Sequence, residues 1–129
     1  TGVVLESYTN VTMNDETALM QAIAEKGPIS VSIDASLQSF SYYGSGVFYD
    51  PECKNGVNDL DHSVLAVGYG TENGEDYWLI KNSWSTHWVS AIAPSHAVQL
   101  ILGDNGYVKI SRKNNNCGVA TQPTFATLK

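Results

Sequence analysis

Apolar and polar positions alternate along this chain at two periods, one helical and one extended. Asn14 is placed to cap a helix running from Asp15 to about Lys26, in which Leu19, Met20 and Ile23 form an apolar stripe and acidic residues occupy the first turn. Gly27-Pro28 ends it. Ile29-Ser30-Val31-Ser32-Ile33-Asp34 then alternates apolar with polar, the period-two signature of a half-buried strand. Short segments rich in Val, Ile and Tyr follow at Gly46 to Tyr49, Ser63 to Tyr69, Tyr77 to Lys81, Gly106 to Ser111 and Thr124 to Leu128. Thr71 to Asp76 reads as a hairpin connection with an Asn-Gly turn. The pattern predicts an α+β domain: an antiparallel sheet or barrel with one main helix. Tyr42, Tyr43, Phe48, Tyr49, Tyr69, Tyr77, Trp78 and Tyr107 fall within or beside these strands and are expected to line the core. Val89 to Leu102 breaks the pattern, being uncharged, mostly apolar and too short to cross a bilayer.

Composition narrows the function classes. The 129 residues suffice for one modest core, so a single domain is expected. A net charge of −6 and an isoelectric point near 4.8, with no basic run, exclude nucleic acid and anionic membrane as partners. No secretion signal or spanning segment is visible, and the abrupt start reads as that of a fragment. The two cysteines, Cys53 and Cys117, allow either one disulfide or two buried thiols. Asn10-Val11-Thr12 is an N-glycosylation acceptor, which matters only in an oxidising secretory route. No cofactor or metal site is expected.

The chemistry lies in three stretches: Asp61-His62-Ser63-Val64-Leu65-Ala66-Val67-Gly68-Tyr69-Gly70, Tyr77-Trp78-Leu79-Ile80-Lys81-Asn82-Ser83-Trp84, and Gly103-Asp104-Asn105-Gly106-Tyr107. Together with Gly27-Pro28-Ile29-Ser30-Val31 and Asn116-Cys117-Gly118-Val119-Ala120, they resemble the C-terminal, histidine-bearing half of papain-family, cathepsin L-like cysteine proteases over almost the whole chain. The resemblance implies that His62 and Asn82 are catalytic. A thiol with a pKa of about 8.5 needs a cationic neighbour to persist as thiolate, and imidazolium can serve and then protonate the leaving amine. The side-chain carbonyl of Asn82 would hold the ring in orientation without adding charge. By the same resemblance, Trp84 and Trp88 wall the active site, while Ala35, Leu60, Asp61, Ser63 and Gln122 contact substrate. Cys53 and Cys117 match the positions of a disulfide, and His87 and His96 are structural. The implied partners are a peptide or protein substrate, the cysteine-bearing N-terminal half, and cystatin-type or propeptide inhibitors. The implied compartment is lysosomal or extracellular.

Two departures qualify the match. The family's Q-x-x-C-G-S-C-W segment, with its nucleophile and oxyanion donor, has no counterpart here, so the isolated chain is expected to be inactive. The segment Val89 to Leu102 interrupts the family's W-G-x-x-G-Y run, and Ser85 replaces its usual glycine; the insertion reads as a splicing irregularity, a lid or a contact surface. The alternatives are a non-catalytic homologue acting as a binding protein, and a silicatein-like relative with serine as nucleophile.

Overall fold

The computed structural model describes residues 4–82 and 106–128. Trp84, Ser85, His87, Trp88, His96 and the insertion from Val89 to Leu102 lie outside them. The elements run in the order β1 (Leu5–Asn10), α1 (Glu16–Lys26), β2 (Ile29–Ile33), α2 (Gln38–Ser41), β3 (Val47–Phe48), β4 (His62–Glu72), β5 (Glu75–Lys81), β6 (Tyr107–Ser111) and β7 (Thr124–Leu128). Seven strands form one sheet in the order β1-β7-β2-β4-β5-β6-β3. All pairs are antiparallel except β3 with β6. The α+β reading with one main helix thus describes the molecule, with one parallel pair added.

The main helix begins one residue later than the sequence suggests. Asn14 has a φ of 57°, a left-handed conformation that asparagine tolerates, and the cap is Asp15, whose extended backbone lets its carboxylate accept from the Ala18 amide at 2.9 Å. Leu19 and Ile23 are buried and Met20 packs partly against the core, so the apolar stripe faces inward onto β2 and β4. Gly27, at a φ of 87°, closes the helix by donating its amide to the Ile23 carbonyl. In β2 the alternation is realised: Ile29, Val31 and Ile33 are buried, whereas Ser30 and Ser32 face the open side. Fully burying each of these isoleucines contributes roughly 2–3 kcal/mol.

The hairpin is tighter than predicted. β4 and β5 pair up to Glu72 and Glu75, leaving only Asn73 (φ 51°) and Gly74 (φ 81°) as the loop, the two positive angles a type I′ turn requires. The aromatic expectation holds only in part. Trp78 and Tyr43 are buried, but Tyr42, Tyr49 and Tyr69 are exposed by 36–40% and line no core. Tyr69 lies opposite Trp78 on the neighbouring strand and meets it edge-on at 6.2 Å, so it covers a core residue while remaining at the surface.

Residues Lys113–Gly118 form a tight reversal in which Asn114, Asn115, Cys117 and Gly118 all have positive φ. Cys117 is there bonded to Cys53, across a sequence separation of 64. The same bend lets the Cys117 carbonyl accept from the Asp34 amide at 2.9 Å, which pins the reversal to the end of β2.

Candidate active site

His62 opens β4, where it pairs with Ile33 of β2. Asn82 follows the last residue of β5, is 6% exposed, and donates its backbone amide to the Gly106 carbonyl at 3.0 Å. The two side chains meet although 20 residues apart: His62 Nε2 and Asn82 Oδ1 are 2.8 Å from one another. A carbonyl oxygen only accepts, so in this bond Nε2 carries the proton and donates it. That assigns the lone pair of the neutral ring to Nδ1.

The meeting depends on a one-residue irregularity. From the turn, pairing runs Glu72↔Glu75 through Gly68↔Leu79; beyond Val67, which has no partner, it resumes as Ala66↔Ile80 and Leu65↔Lys81. Continuing that register sets Asn82 opposite Val64, on the face shared by His62. Were Val67 to pair with Ile80 in an unbroken ladder, Asn82 would fall opposite Leu65, on the other side of the sheet from His62. The bulge therefore chooses the face on which the amide meets the imidazole.

Beneath His62 the backbone is tightly held. The Asp61 amide donates to the Ile33 carbonyl at 3.0 Å and the Asp61 carboxylate accepts from the Ala35 amide at 2.9 Å. Asp34, 2% exposed, accepts from the Ser36 amide (3.0 Å), the Ser36 hydroxyl (2.5 Å) and the Lys54 amide (2.9 Å). Burial pushes the Asp34 carboxyl up, but these hydrogen bonds and the Lys54 charge outweigh it, leaving its pKa below the usual aspartate value.

A groove of 430 Å³ lies on the open face of the sheet, lined by Asn10, Ser30, Ser32, Ser63, Gln122 and Thr124 among others. A shallower depression shares Ser30 and Ser63 with it and continues to Lys81 and Asn82. Of the residues singled out for substrate contact, Ser63 and Gln122 are brought together here. Ala35 and Asp61 instead bond to each other, and Leu60 packs where a side chain on Gly118 would collide with it at 2.6 Å. Ser30 and Ser32 are groove residues that motif reading passes over; the alternation of β2 marks them as the polar face, but their adjacency to Ser63 comes from strand order. A larger cavity of 860 Å³, lined by Glu16, Tyr49, Asp76 and Arg112 among others, includes neither His62 nor Asn82. There burial raises the Glu16 carboxyl, against the pull of Arg112 and with a push from Asp76.

Among the described residues no group of three or more His, Cys, Asp or Glu side chains is placed to hold a metal, and both cysteines of the chain are used in the Cys53–Cys117 bond.

Comparison with known proteins accords with this geometry. The profile of papain family cysteine proteases matches residues 1–127. Digestive cysteine proteinase 2 of Homarus americanus is 50% identical over 92% of this chain, and a cathepsin L-like peptidase of Aedes aegypti 49% identical over 96%. In each case the chain spans 32% of the relative's length. Two solved digestive procathepsins from the larval midgut of Tenebrio molitor, L 3 and L2, superpose with TM-scores of 0.79 at 36% and 40% identity. They align with 96% and 95% of this chain, which covers 36% and 34% of theirs. With its fold, its histidine–asparagine pair and nearly its whole length accounted for, the chain belongs to the papain family of cysteine proteases.

Proposed function

We propose that these 129 residues are the C-terminal, histidine-bearing domain of a cathepsin L-like endopeptidase, supplying the imidazole and its orienting amide to a thiol carried elsewhere in the complete protein. The observation that carries this reading is the 2.8 Å contact between His62 Nε2 and Asn82 Oδ1. It leaves Nδ1 to exchange a proton with a thiol, giving a thiolate–imidazolium pair. The thiolate attacks the peptide carbonyl carbon and a sulfur–carbon bond forms. Nδ1–H protonates the leaving amine nitrogen as the C–N bond breaks, leaving a thioester. Water then attacks the acyl carbon as His62 takes its proton, the sulfur–carbon bond breaks, the carboxylic acid leaves, and the thiolate–imidazolium pair is restored.

In this reading Ser63 and Gln122, with Ser30 and Ser32, border the site for a substrate side chain. Trp84 and Trp88 wall the leaving-group side, and Ala35, Leu60 and Asp61 complete the substrate-binding set. The partners are a peptide substrate, the cysteine-bearing domain, and propeptide or cystatin-type inhibitors that occupy the same cleft. The relatives' digestive and cathepsin designations support a lysosomal or secreted enzyme, and no helix among the described residues is long and apolar enough to cross a membrane.

The test uses a fluorogenic dipeptide and an epoxide that alkylates active-site thiols. The complete protein should hydrolyse the first and be labelled by the second, while the 129-residue chain should do neither. Turnover by the chain alone would overturn the reading. Serine at the position of the missing nucleophile would point to the silicatein-like relative, and a complete protein that folds but neither cleaves nor labels would be a binding homologue.

A further inference from the structure

The acceptor tripeptide Asn10-Val11-Thr12 and the serine-lined groove are distant in sequence from His62, and the fold brings them to one side of the sheet. Asn10 ends β1 and pairs with Thr124 of β7, which in turn pairs with Ser30 of β2; two residues further along β2, Ser32 pairs with Ser63 of β4. Strands in a sheet lie about 4.8 Å apart, so Asn10 stands roughly 10 Å from Ser30 across the face, with the strand that begins at His62 one spacing beyond. The groove spans this interval and has Asn10 as part of its own lining. Asn10 and Thr12 are exposed, and the Asn10 side-chain amide makes no hydrogen bond to another described residue. Val11 is buried and donates its amide to the Pro123 carbonyl at 2.9 Å, so the tripeptide is anchored at its centre with both outer side chains free. Beside Asn10 the lining also includes the apolar Val11, Met13 and Pro123.

We propose that Asn10 carries an N-linked glycan and that this glycan roofs the serine-lined groove, limiting the size of group that reaches Gln122 and Ser63. In the transfer, the Asn10 amide nitrogen bonds to the anomeric carbon of a lipid-linked oligosaccharide diphosphate. The bond from that carbon to the diphosphate oxygen breaks, the lipid diphosphate leaves, and the amide gives one proton to the medium. An attached oligosaccharide is bulky and hydrophilic and stays at the surface, so from Asn10 it lies over the groove rather than within the sheet. The consequence for substrates rests on the protease reading: the glycan makes the groove selective for small groups at Gln122 and Ser63, and its removal broadens the selection.

The experiment uses the complete protein bearing Gln122→Cys, secreted from an N-glycosylating host. Peptide mapping by mass reads occupancy at Asn10. The rate of alkylation at position 122 is measured with iodoacetamide and with a maleimide on a polyethylene glycol chain, before and after peptide-N-glycosidase treatment without denaturant. Expected are a glycan on Asn10 and, on its removal, a several-fold rise in the rate of the bulky reagent with the small one unchanged. Thr12→Ala, which keeps Asn10 but destroys the acceptor, should match the deglycosylated protein. An unmodified Asn10, or a bulky-to-small ratio indifferent to the glycan, overturns the proposal. Neither readout needs turnover, so absence of peptide hydrolysis would count against the protease reading alone.

Discussion

The corner around Asp34 and the pair His62–Asn82 are neighbours, since Ile33 pairs with His62 and Asp34 follows Ile33, yet they are built on opposite principles. The corner is over-determined. A disulfide, a backbone bond from Asp34 to Cys117 and a carboxylate that accepts three hydrogen bonds all hold the same few residues. His62 and Asn82 meet through a side-chain contact whose existence rests on the register of a hairpin. The difference teaches a division of labour: the corner makes a rigid base, and the directional bond to Asn82 on that base sets the orientation of the imidazole.

Changes at the two places should therefore separate activity from stability. The largest expected effect is His62→Ala in the complete protein. It removes the proton donor and should lower kcat/KM by about 10⁴-fold with little change in the urea midpoint. Replacing Cys53 and Cys117 by serine should do the reverse, costing about 4 kcal/mol in denaturant titrations from loop closure, with kcat/KM nearly kept below the transition. Asp34→Asn should cost about 2 kcal/mol at neutral pH by weakening buried, charge-assisted hydrogen bonds. Because the Asp34 pKa is lowered on folding, its contribution is complete above the unfolded value of about 4 and is lost as pH falls through the lower folded one. The stability gap between wild type and Asp34→Asn should thus close on acidification; a gap constant down to pH 2 contradicts the assignment. Smallest in free energy is Asn82→Ala, expected to lower kcat/KM by about tenfold through loss of one hydrogen bond to a charged ring. Its pH–rate profile should shift, which loss of stability alone would not produce.

The over-determined corner and the catalytic pair also differ in how far they could be read from the chain. His62 and Asn82 were marked by their flanking runs, and α1, β2 and the Asn73-Gly74 turn by local periodicity and turn chemistry. β1 gave no signal because all six of its residues are exposed and it holds its place by backbone pairing with β7. The cap moved from Asn14 to Asp15 because a left-handed residue suits asparagine as well as a cap does, a choice local sequence leaves open. The groove serines needed strand order, which no window of sequence contains. Asp34 ended a predicted strand without distinction, since its partners Lys54 and Cys117 come from remote loops.

The unpartnered Val67 has a consequence for how this hairpin can vary. Residues inserted at Asn73-Gly74, in odd or even number, lengthen the tip and leave the pairing at Leu65 and Lys81 untouched. One residue removed at Val67 closes the bulge with Leu65 still opposite Lys81, so Asn82 keeps its place beside Val64, whereas a slip that pairs Val67 with Ile80 sets Asn82 opposite Leu65. The tip is thus open to added loops or tags of any length. The facing of the site depends on Val67 staying out of the ladder.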